Sequence, residues 1–199
     1  LKKKLNYLEL KEMANKNNNN IILHQYKLKI AEKNRKINTS YFMPSIALTG
    51  QYGYSNMQSN TSLITEQTNL GPTGYINLSW NLFDGFSKKV MLQNAKIEIA
   101  TNELKLESIK NEINNELENT FNQYINNINL IEIEIRNKHA AEKFFERSKE
   151  QYYQGQLSNN DFRLAQVTLG QSINRLNRIN YITKIAELNL YRISAQIIL

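Results

Sequence analysis

Cysteine is absent from this 199-residue sequence, and proline and glycine are scarce, with 2 and 7 copies. The lack of cysteine excludes disulfides, thiol catalysis and cysteine-ligated metal. The two histidines, His24 and His139, belong to no catalytic or metal-binding spacing, and no glycine-rich phosphate loop occurs. No run of about 18 apolar residues is present, which excludes a transmembrane helix. We therefore expect no catalytic site, no metal and no cofactor, and few turns between long elements.

Positive charge is in modest excess, with a net charge of +7 and an isoelectric point near 9.4. The lysines are dispersed and lie mostly at helical spacing among glutamates, a pattern typical of solvated helix surface. Aromatic and basic residues do not alternate in the way that is typical of nucleic-acid-binding proteins. The charge is accordingly interpreted as helix surface, and no nucleic-acid partner is expected.

The N-terminal part predicts a helix over about residues 20–38, with Pro44 shortly beyond it. An asparagine-rich bend at residues 17–20 precedes this helix. The apolar residues before the bend predict a further short helix; they are Leu5, Leu8, Leu10 and Met13.

Between Tyr41 and Gly85 the apolar period changes from helical to two, which predicts two β-strands, over 45–55 and 75–82. A polar loop over roughly 56–71 joins them into a hairpin. The larger apolar groups fall on one face: Ile46, Leu48, Tyr52, Ile76, Leu78, Trp80 and Leu82. The opposite face is small and polar: Thr49, Gln51, Asn77, Ser79 and Asn81. The alternation suits a membrane-spanning strand and a soluble sheet packed on a helix equally well.

A very long helix is predicted from near Ser87 to Tyr153, roughly 65 residues or on the order of 100 Å. Its narrow apolar ridge suits a coiled-coil seam; the ridge comprises Val90, Ala95, Ile97, Leu104, Ile109, Ile113, Leu117, Phe121, Tyr124, Ile128, Ile131, Ile135, Phe144 and Phe145. Gly155 closes this helix and Ser158 caps the next, with Asp161 three residues later as in a capping box. The second helix is expected to run antiparallel to the first, essentially to the last residue; its apolar positions are Phe162, Ala165, Leu169, Ile173, Leu176, Ile179, Ile182, Ala186, Leu190, Ile193 and Ile197.

The order of these elements and three short stretches resemble the TolC family of outer-membrane efflux channels, over about residues 15–199. The stretches are 41–44 (YFMP), 78–85 (LSWNLFDG) and 153–162 (YQGQLSNNDF), the last followed by Ala165 and Gln166. The chain is similar to the second repeat of a family protomer. The sequence begins with Leu1 and holds only two strands, so we expect the C-terminal half of a protomer.

The resemblance implies a mainly α fold with a β-hairpin, in which long antiparallel coiled-coil helices form an α-barrel and the two strands join a transmembrane β-barrel. It implies three parts: residues 1–40 as a helix of the periplasmic tunnel, 41–84 as the outer-membrane hairpin, and 85–199 as a helical hairpin with its tip at 153–161. It also implies a homotrimer in the bacterial outer membrane, with a periplasmic extension. Such a trimer serves as a passive duct in tripartite efflux or type I secretion, with a periplasmic adaptor and an inner-membrane transporter as partners.

Residue roles follow from the resemblance by position. Gly155, Leu157 and Ser158 fall at the tip that faces the adaptor in the family, and a plain capped turn explains them equally well. Asp161 falls where some relatives narrow the tunnel entrance. Those relatives carry a second acid three residues on, where this chain has Leu164, so helix capping is the favoured role for Asp161.

Under this resemblance the polar strand face would line the lumen and the apolar face would meet lipid. The lumen face is neutral, which predicts a poorly selective aqueous pore. Two other classes remain open at this point. One is a helical pore-forming toxin with a β-tongue, although its tongue should be apolar on both faces. The other is a structural periplasmic coiled-coil adaptor, which should have more β structure after the helical hairpin.

Overall fold

The computed structural model describes residues 5–58 and 66–196. Within them the chain forms four helices and one antiparallel hairpin: α1 (Tyr7–Asn17), α2 (Asn19–Ser40), β1 (Ser45–Gln58), β2 (Glu66–Ser79), α3 (Ser87–Tyr153) and α4 (Asn159–Ile193). The predicted mainly α fold with a central hairpin is confirmed. Ile197 and residues 59–65 of the predicted loop lie outside the described part of the chain. The chain divides into two compact units, residues 1–26 with 104–199 and residues 27–103.

The core of the first unit is formed by α1, α3, α4 and the start of α2. Its buried residues are Leu10, Ala14, Ile21, Ile113, Leu117, Tyr124, Ala186, Leu190 and Ile193. The Tyr7 and Phe121 rings lie 5.3 Å apart at its edge. Removing apolar surface from water drives this packing at roughly 25 cal/mol per Å².

The two long helices run antiparallel, as predicted. Their side chains meet in an order that rises along α3 and falls along α4: Glu116 with Arg192 (2.8 Å), Glu134 with Arg175 (3.5 Å) and Phe145 with Phe162 (5.8 Å between ring centroids). The ion pairs are exposed and contribute little, about 0–1 kcal/mol each. Apolar packing along the seam is therefore the main cause of the association.

The seam of α4 follows a seven-residue repeat. Ala165, Ser172, Ile179, Ala186 and Ile193 are all buried, each seven residues after the last. This spacing is typical of a coiled coil, since it keeps one stripe facing the partner helix. The predicted coiled-coil seam is confirmed on this helix.

The membership of the seam differs from the apolar ridge that the sequence predicts. Val90, Ile97, Leu104, Ile135, Phe144 and Ile173 are exposed, whereas several small or polar residues are buried: Asn127, Ala141, Ser148, Ser172 and Thr183. The buried hydroxyls of Ser172 and Thr183 donate to the carbonyls of Leu169 and Ile179 on their own helix. Because their polar groups are satisfied within the helix, small hydroxyl residues can occupy a seam where the helices are close.

The break between α1 and α2 lies at Asn18, inside the predicted bend. Its backbone N–H donates to the Ala14 carbonyl, and its side-chain oxygen accepts from the Asn20 N–H at 3.0 Å. Its amide nitrogen also donates to the Ile193 carbonyl at 3.0 Å. Asn18 therefore ends one helix, caps the next and ties both to the end of α4.

The predicted continuation of the last helix to the end of the chain is wrong. Helix α4 ends at Ile193, where the Ser194 hydroxyl donates to the Leu190 carbonyl at 2.8 Å. Ala195 then takes a left-handed backbone with φ of 56°, and the Gln196 N–H donates to the Tyr191 carbonyl. These bonds satisfy the last carbonyls of the helix, as a Schellman motif does.

In the second unit, β1 and β2 pair over 14 residues each, from Ser45 opposite Ser79 to Gln58 opposite Glu66. Three of the four predicted strand ends are wrong. β1 continues to Gln58 rather than ending at residue 55, and β2 begins at Glu66 rather than residue 75 and ends at Ser79 rather than residue 82. The reason for the early end is Pro44. A residue after Ser79 would face Pro44, which has no N–H to donate to a ladder.

Candidate functional site

The register of the hairpin gathers the larger apolar residues of both strands on one face. Ile46 lies opposite Leu78, Leu48 opposite Ile76, and Tyr52 opposite Pro72. Directly opposed residues of an antiparallel pair project to the same side, so these residues share what we call the aliphatic face. Leu48 is 80% exposed, and Ile46 and Ile76 are each 73% exposed. A contiguous exposed apolar surface of this kind marks a contact with lipid or with another protein.

The other face, which we call the polar face, carries the residues assigned to a lumen. Thr49, Gln51, Asn77 and Ser79 lie there, with Ala47 opposite Asn77. Tyr75 also lies on this face, opposite Thr49, so it is not part of the aliphatic face. Residues 45–58 and 68–79 contain no charged side chain. Both faces of these stretches are therefore electrically neutral.

Trp80, Asn81 and Leu82 require a correction, because all three lie beyond the end of β2 and take no part in the alternation. The Trp80 indole N–H donates to the Phe42 carbonyl at 3.2 Å, and the Lys88 ammonium donates to the Asn81 carbonyl at 2.6 Å. These bonds tie the segment after β2 to the end of α2 and to the start of α3. The three residues belong to a connection between strand and helix rather than to a strand face.

The predicted turn at Asp84 and Gly85 starts α3. Gly85 has φ of 66°, and Phe86 has φ of 69°, which is unusual for a residue with a bulky side chain. A left-handed conformation costs such a residue about 1–2 kcal/mol. The Asp84 carboxylate accepts from the Lys88 backbone N–H at 3.1 Å and so caps the helix. The sequence indicated the turn but carried no signal for the strain at Phe86.

The tip of the helical hairpin is built as predicted around Gly155, which has φ of 72°. The Gly155 N–H donates to the Tyr152 carbonyl at 3.0 Å, and the Gln156 N–H donates to the Gln151 carbonyl at 2.9 Å. This pattern ends α3 in a Schellman motif. Of the three residues assigned to the tip, Gly155 and Ser158 are exposed and Leu157 is half-buried.

Ser158 caps α4, and Asp161 completes the cap. The Ser158 hydroxyl oxygen accepts from the Asp161 N–H at 3.2 Å, and the hydroxyl lies 2.6 Å from the Asp161 carboxylate, to which it donates. These two bonds agree with the capping role favoured for Asp161. Leu164, where some relatives have a second acid, is exposed. Leu164 follows Asp161 by three residues on α4, so the two side chains are neighbours on the helix surface.

A stack of aromatic rings beneath the tip is absent from the sequence prediction. The Tyr152 and Phe162 rings lie 4.7 Å apart with an interplanar angle of 10°, and the Phe145 ring also stacks with Phe162, at 5.8 Å and 22°. Stacked rings contribute about 0.5–1.5 kcal/mol beyond their buried area. The stack fixes the two helices at the turn and leaves Tyr153 exposed.

Two ionisable side chains of the long helices, Tyr124 and Lys184, have a raised pKa. Burial raises the pKa of the Tyr124 hydroxyl, and the nearby Glu187 carboxylate raises it further. A hydrogen bond to Glu187 raises the pKa of Lys184. In residues 5–58 and 66–196, no three His, Asp or Glu side chains are grouped as metal ligands would be. None of the helices described is long and apolar enough to cross a membrane.

Comparison with known proteins identifies the family. The chain matches the model of the outer membrane efflux protein family over residues 10–196. No curated protein is significantly similar in sequence. Among solved structures, a membrane protein from Pseudomonas aeruginosa superposes with a TM-score of 0.86 at 14% identity, over 94% of this chain and 44% of that one.

Two channels of known name are similar in fold. The Campylobacter jejuni CmeC outer membrane channel has a TM-score of 0.85 at 14% identity, over 94% of this chain and 40% of that one. The Neisseria gonorrhoeae MtrE outer membrane channel, solved in its open state, has a TM-score of 0.80 at 16% identity, over 98% and 43%. The chain thus spans less than half the length of each. It belongs to the outer membrane efflux protein family, which confirms the TolC-family resemblance of its sequence.

Proposed function

We propose that this chain is part of an outer-membrane channel, the passive export duct of a tripartite efflux or type I secretion system. The single observation that carries the proposal is the two-faced hairpin, which is uncharged over residues 45–58 and 68–79 and is joined to long coiled-coil helices. A tilted transmembrane strand needs about 9–11 residues, and each strand has 14. The aliphatic face suits lipid and the polar face suits an aqueous lumen.

The proposed assembly is a homotrimer in which the strands would close into a β-barrel and the helices into an α-barrel. A two-stranded hairpin has two unpaired edges, which closure of a barrel would satisfy. Helix α2 exposes Leu23, Ile30 and Ile37, and α3 exposes Val90, Ile97 and Leu104. Each set repeats every seven residues, as the seam of a further coiled coil does. These stripes support contacts with the helices of other repeats or protomers.

We assign the tip of the helical hairpin to the periplasmic adaptor, which would link the channel to an inner-membrane transporter. Gly155, Leu157 and Ser158 would form the contact, with exposed Tyr153 beside them. A rigid tip suits docking because little conformational freedom is lost on binding. The Schellman motif, the serine cap and the ring stack provide that rigidity.

The test is the location and mass of the full-length protein. Cells are separated into soluble, inner-membrane and outer-membrane fractions, and the purified protein is measured by light scattering with detergent accounted for. We expect an outer-membrane protein that needs detergent and has the mass of three chains. A water-soluble monomer would overturn the proposal and favour the toxin or coiled-coil adaptor.

A further inference from the structure

The positive charge of the chain is concentrated in the two segments that flank the hairpin, the second half of α2 and the start of α3. We call residues 27–44 and 80–96 the junction; it belongs wholly to the second unit. It holds eight basic and two acidic residues, a net +6 of the chain's +7: Lys27, Lys29, Lys33, Arg35, Lys36, Lys88, Lys89 and Lys96 against Glu32 and Asp84. The lysines are therefore not evenly dispersed, although all eight basic residues lie on α2 or α3 and all but Lys88 are exposed helix surface.

The same junction exposes most of the large aromatic residues that flank the hairpin. Tyr41, Phe42, Trp80, Phe83 and Phe86 are each more than 40% exposed. Four of them, all but Tyr41, line an open pocket of about 510 Å³, with Lys88, Lys89 and Asp84 also in its wall. We call this the junction pocket. Apolar rings beside two ammonium groups make it amphipathic.

The pocket has a defined shape. The indole N–H of Trp80 is held by the Phe42 carbonyl, and the Phe83 and Phe86 rings meet edge to face at 5.8 Å. Phe86 remains in its left-handed conformation, which persists only where the surroundings over-determine it, and such strain is concentrated at functional sites. Lys88 is half-buried and bonded to the Asn81 carbonyl, whereas Lys89 is exposed.

The charges of the pocket favour an anion. The Asp84 carboxylate is engaged by the first turn of α3 through the Lys88 N–H, so the positive end of that helix partly offsets its charge. Among the described residues Lys88 and Lys89 form no ion pair with a carboxylate. A phosphate group beside Lys89 would pair with its ammonium group, and an attached hydrocarbon chain would pack against the aromatic rings.

We propose that the junction pocket binds an anionic glycerophospholipid of the inner leaflet, with its phosphate at Lys89 and Lys88 and its acyl chain against Trp80 and Phe83. The inference rests on the proposed function, which places the junction at the periplasmic side of the membrane. A lipid is favoured over free phosphate because the wall is mostly apolar, with Leu82 and Leu92 beside the four rings. Aromatic side chains are enriched at this depth, and basic groups attract anionic leaflets there.

The experiment uses the full-length protein in detergent and reads lipid binding in two ways. Native mass spectrometry counts bound phosphatidylglycerol against phosphatidylcholine. Brominated phosphatidylglycerol quenches Trp80, the single tryptophan of this sequence, and a W80F variant supplies the background. The variants are K89Q, K88Q/K89Q and K88R/K89R, and the matched control is K105Q/K143Q, which removes two exposed lysines outside the junction.

We expect wild type, the control and K88R/K89R to prefer phosphatidylglycerol by about twenty-five-fold, since each of the two basic residues near an anionic surface strengthens binding about fivefold. K89Q should reduce the preference about fivefold without disturbing the bond between Lys88 and Asn81, and K88Q/K89Q should abolish it. Equal binding of both lipids, an unchanged preference in K88Q/K89Q, or displacement of lipid by millimolar inorganic phosphate would overturn the site. An outer-membrane trimer without lipid preference rejects only this inference, whereas a soluble monomer rejects the proposed function itself.

Discussion

Backbone conformation decides whether replacing a glycine of the helical hairpin by alanine lowers or raises the free energy of unfolding. Gly155 has φ of 72° and Gly170 lies inside α4 with ordinary helical backbone, and an added Cβ meets nothing within 4 Å at either position. We expect Gly155→Ala to lower the free energy of unfolding by about 1 kcal/mol, since alanine is strained there. Gly170→Ala should raise it by about 0.5–1 kcal/mol, because glycine weakens a helix interior. Thermal unfolding of the full-length protein measures both, and equal effects would contradict the assigned backbone of Gly155.

Leu48 and Thr49 are neighbours on opposite faces of the hairpin. If the aliphatic face meets lipid, Leu48→Lys should cost about 2 kcal/mol, because a lysine on the lipid face near the midplane costs about 2–4 kcal/mol and less toward the interface. Thr49→Lys should cost little, since water hydrates it in the lumen. Urea unfolding in vesicles measures both variants, and similar costs at the two positions would argue against a lipid face.

At the scale of an element, α4 depends on its N-terminal cap. Ser158→Ala removes the hydroxyl that accepts from the Asp161 N–H, and we expect a loss of about 1 kcal/mol in the free energy of unfolding. Asp161→Asn keeps an acceptor for the Ser158 hydroxyl and should change stability less. If Asp161 acts in capping alone, Asp161→Asn should also leave single-channel conductance unchanged. A clear change in conductance would assign it to the tunnel entrance as well.

For the whole molecule, the absence of charged side chains from residues 45–58 and 68–79 of the strands predicts weak ion selectivity. In a planar bilayer under a potassium chloride gradient, the full-length channel should have a cation-to-anion permeability ratio of about one, because residues 45–58 and 68–79 bring no charge to the lumen. Wild type and K88Q/K89Q should give the same ratio if Lys88 and Lys89 face lipid. Strong anion selectivity that disappears in K88Q/K89Q would place these lysines in the lumen.

The sequence by itself determined the order of the elements, the two periodicities, and both ends of the helical turn, because these depend on local features. Period-two alternation, a left-handed Gly155 and the Ser158 cap act over a few residues. The bend at residues 17–20 was equally readable, although only the fold showed that Asn18 also holds the end of α4.

Only the tertiary structure decided which side chains meet over long sequence separations. The pairing of Ile46 with Leu78, the end of β2 before Trp80, and the burial of Ser172 and Thr183 all depend on a partner segment. Pro44 opposite the end of β2, or a helix packed closely against Ser172 and Thr183, produces no signal in the sequence around the residues that it affects. For the same reason, the basic residues can be counted in the sequence, but only the structure brings Lys88, Lys89 and the aromatic rings to one pocket.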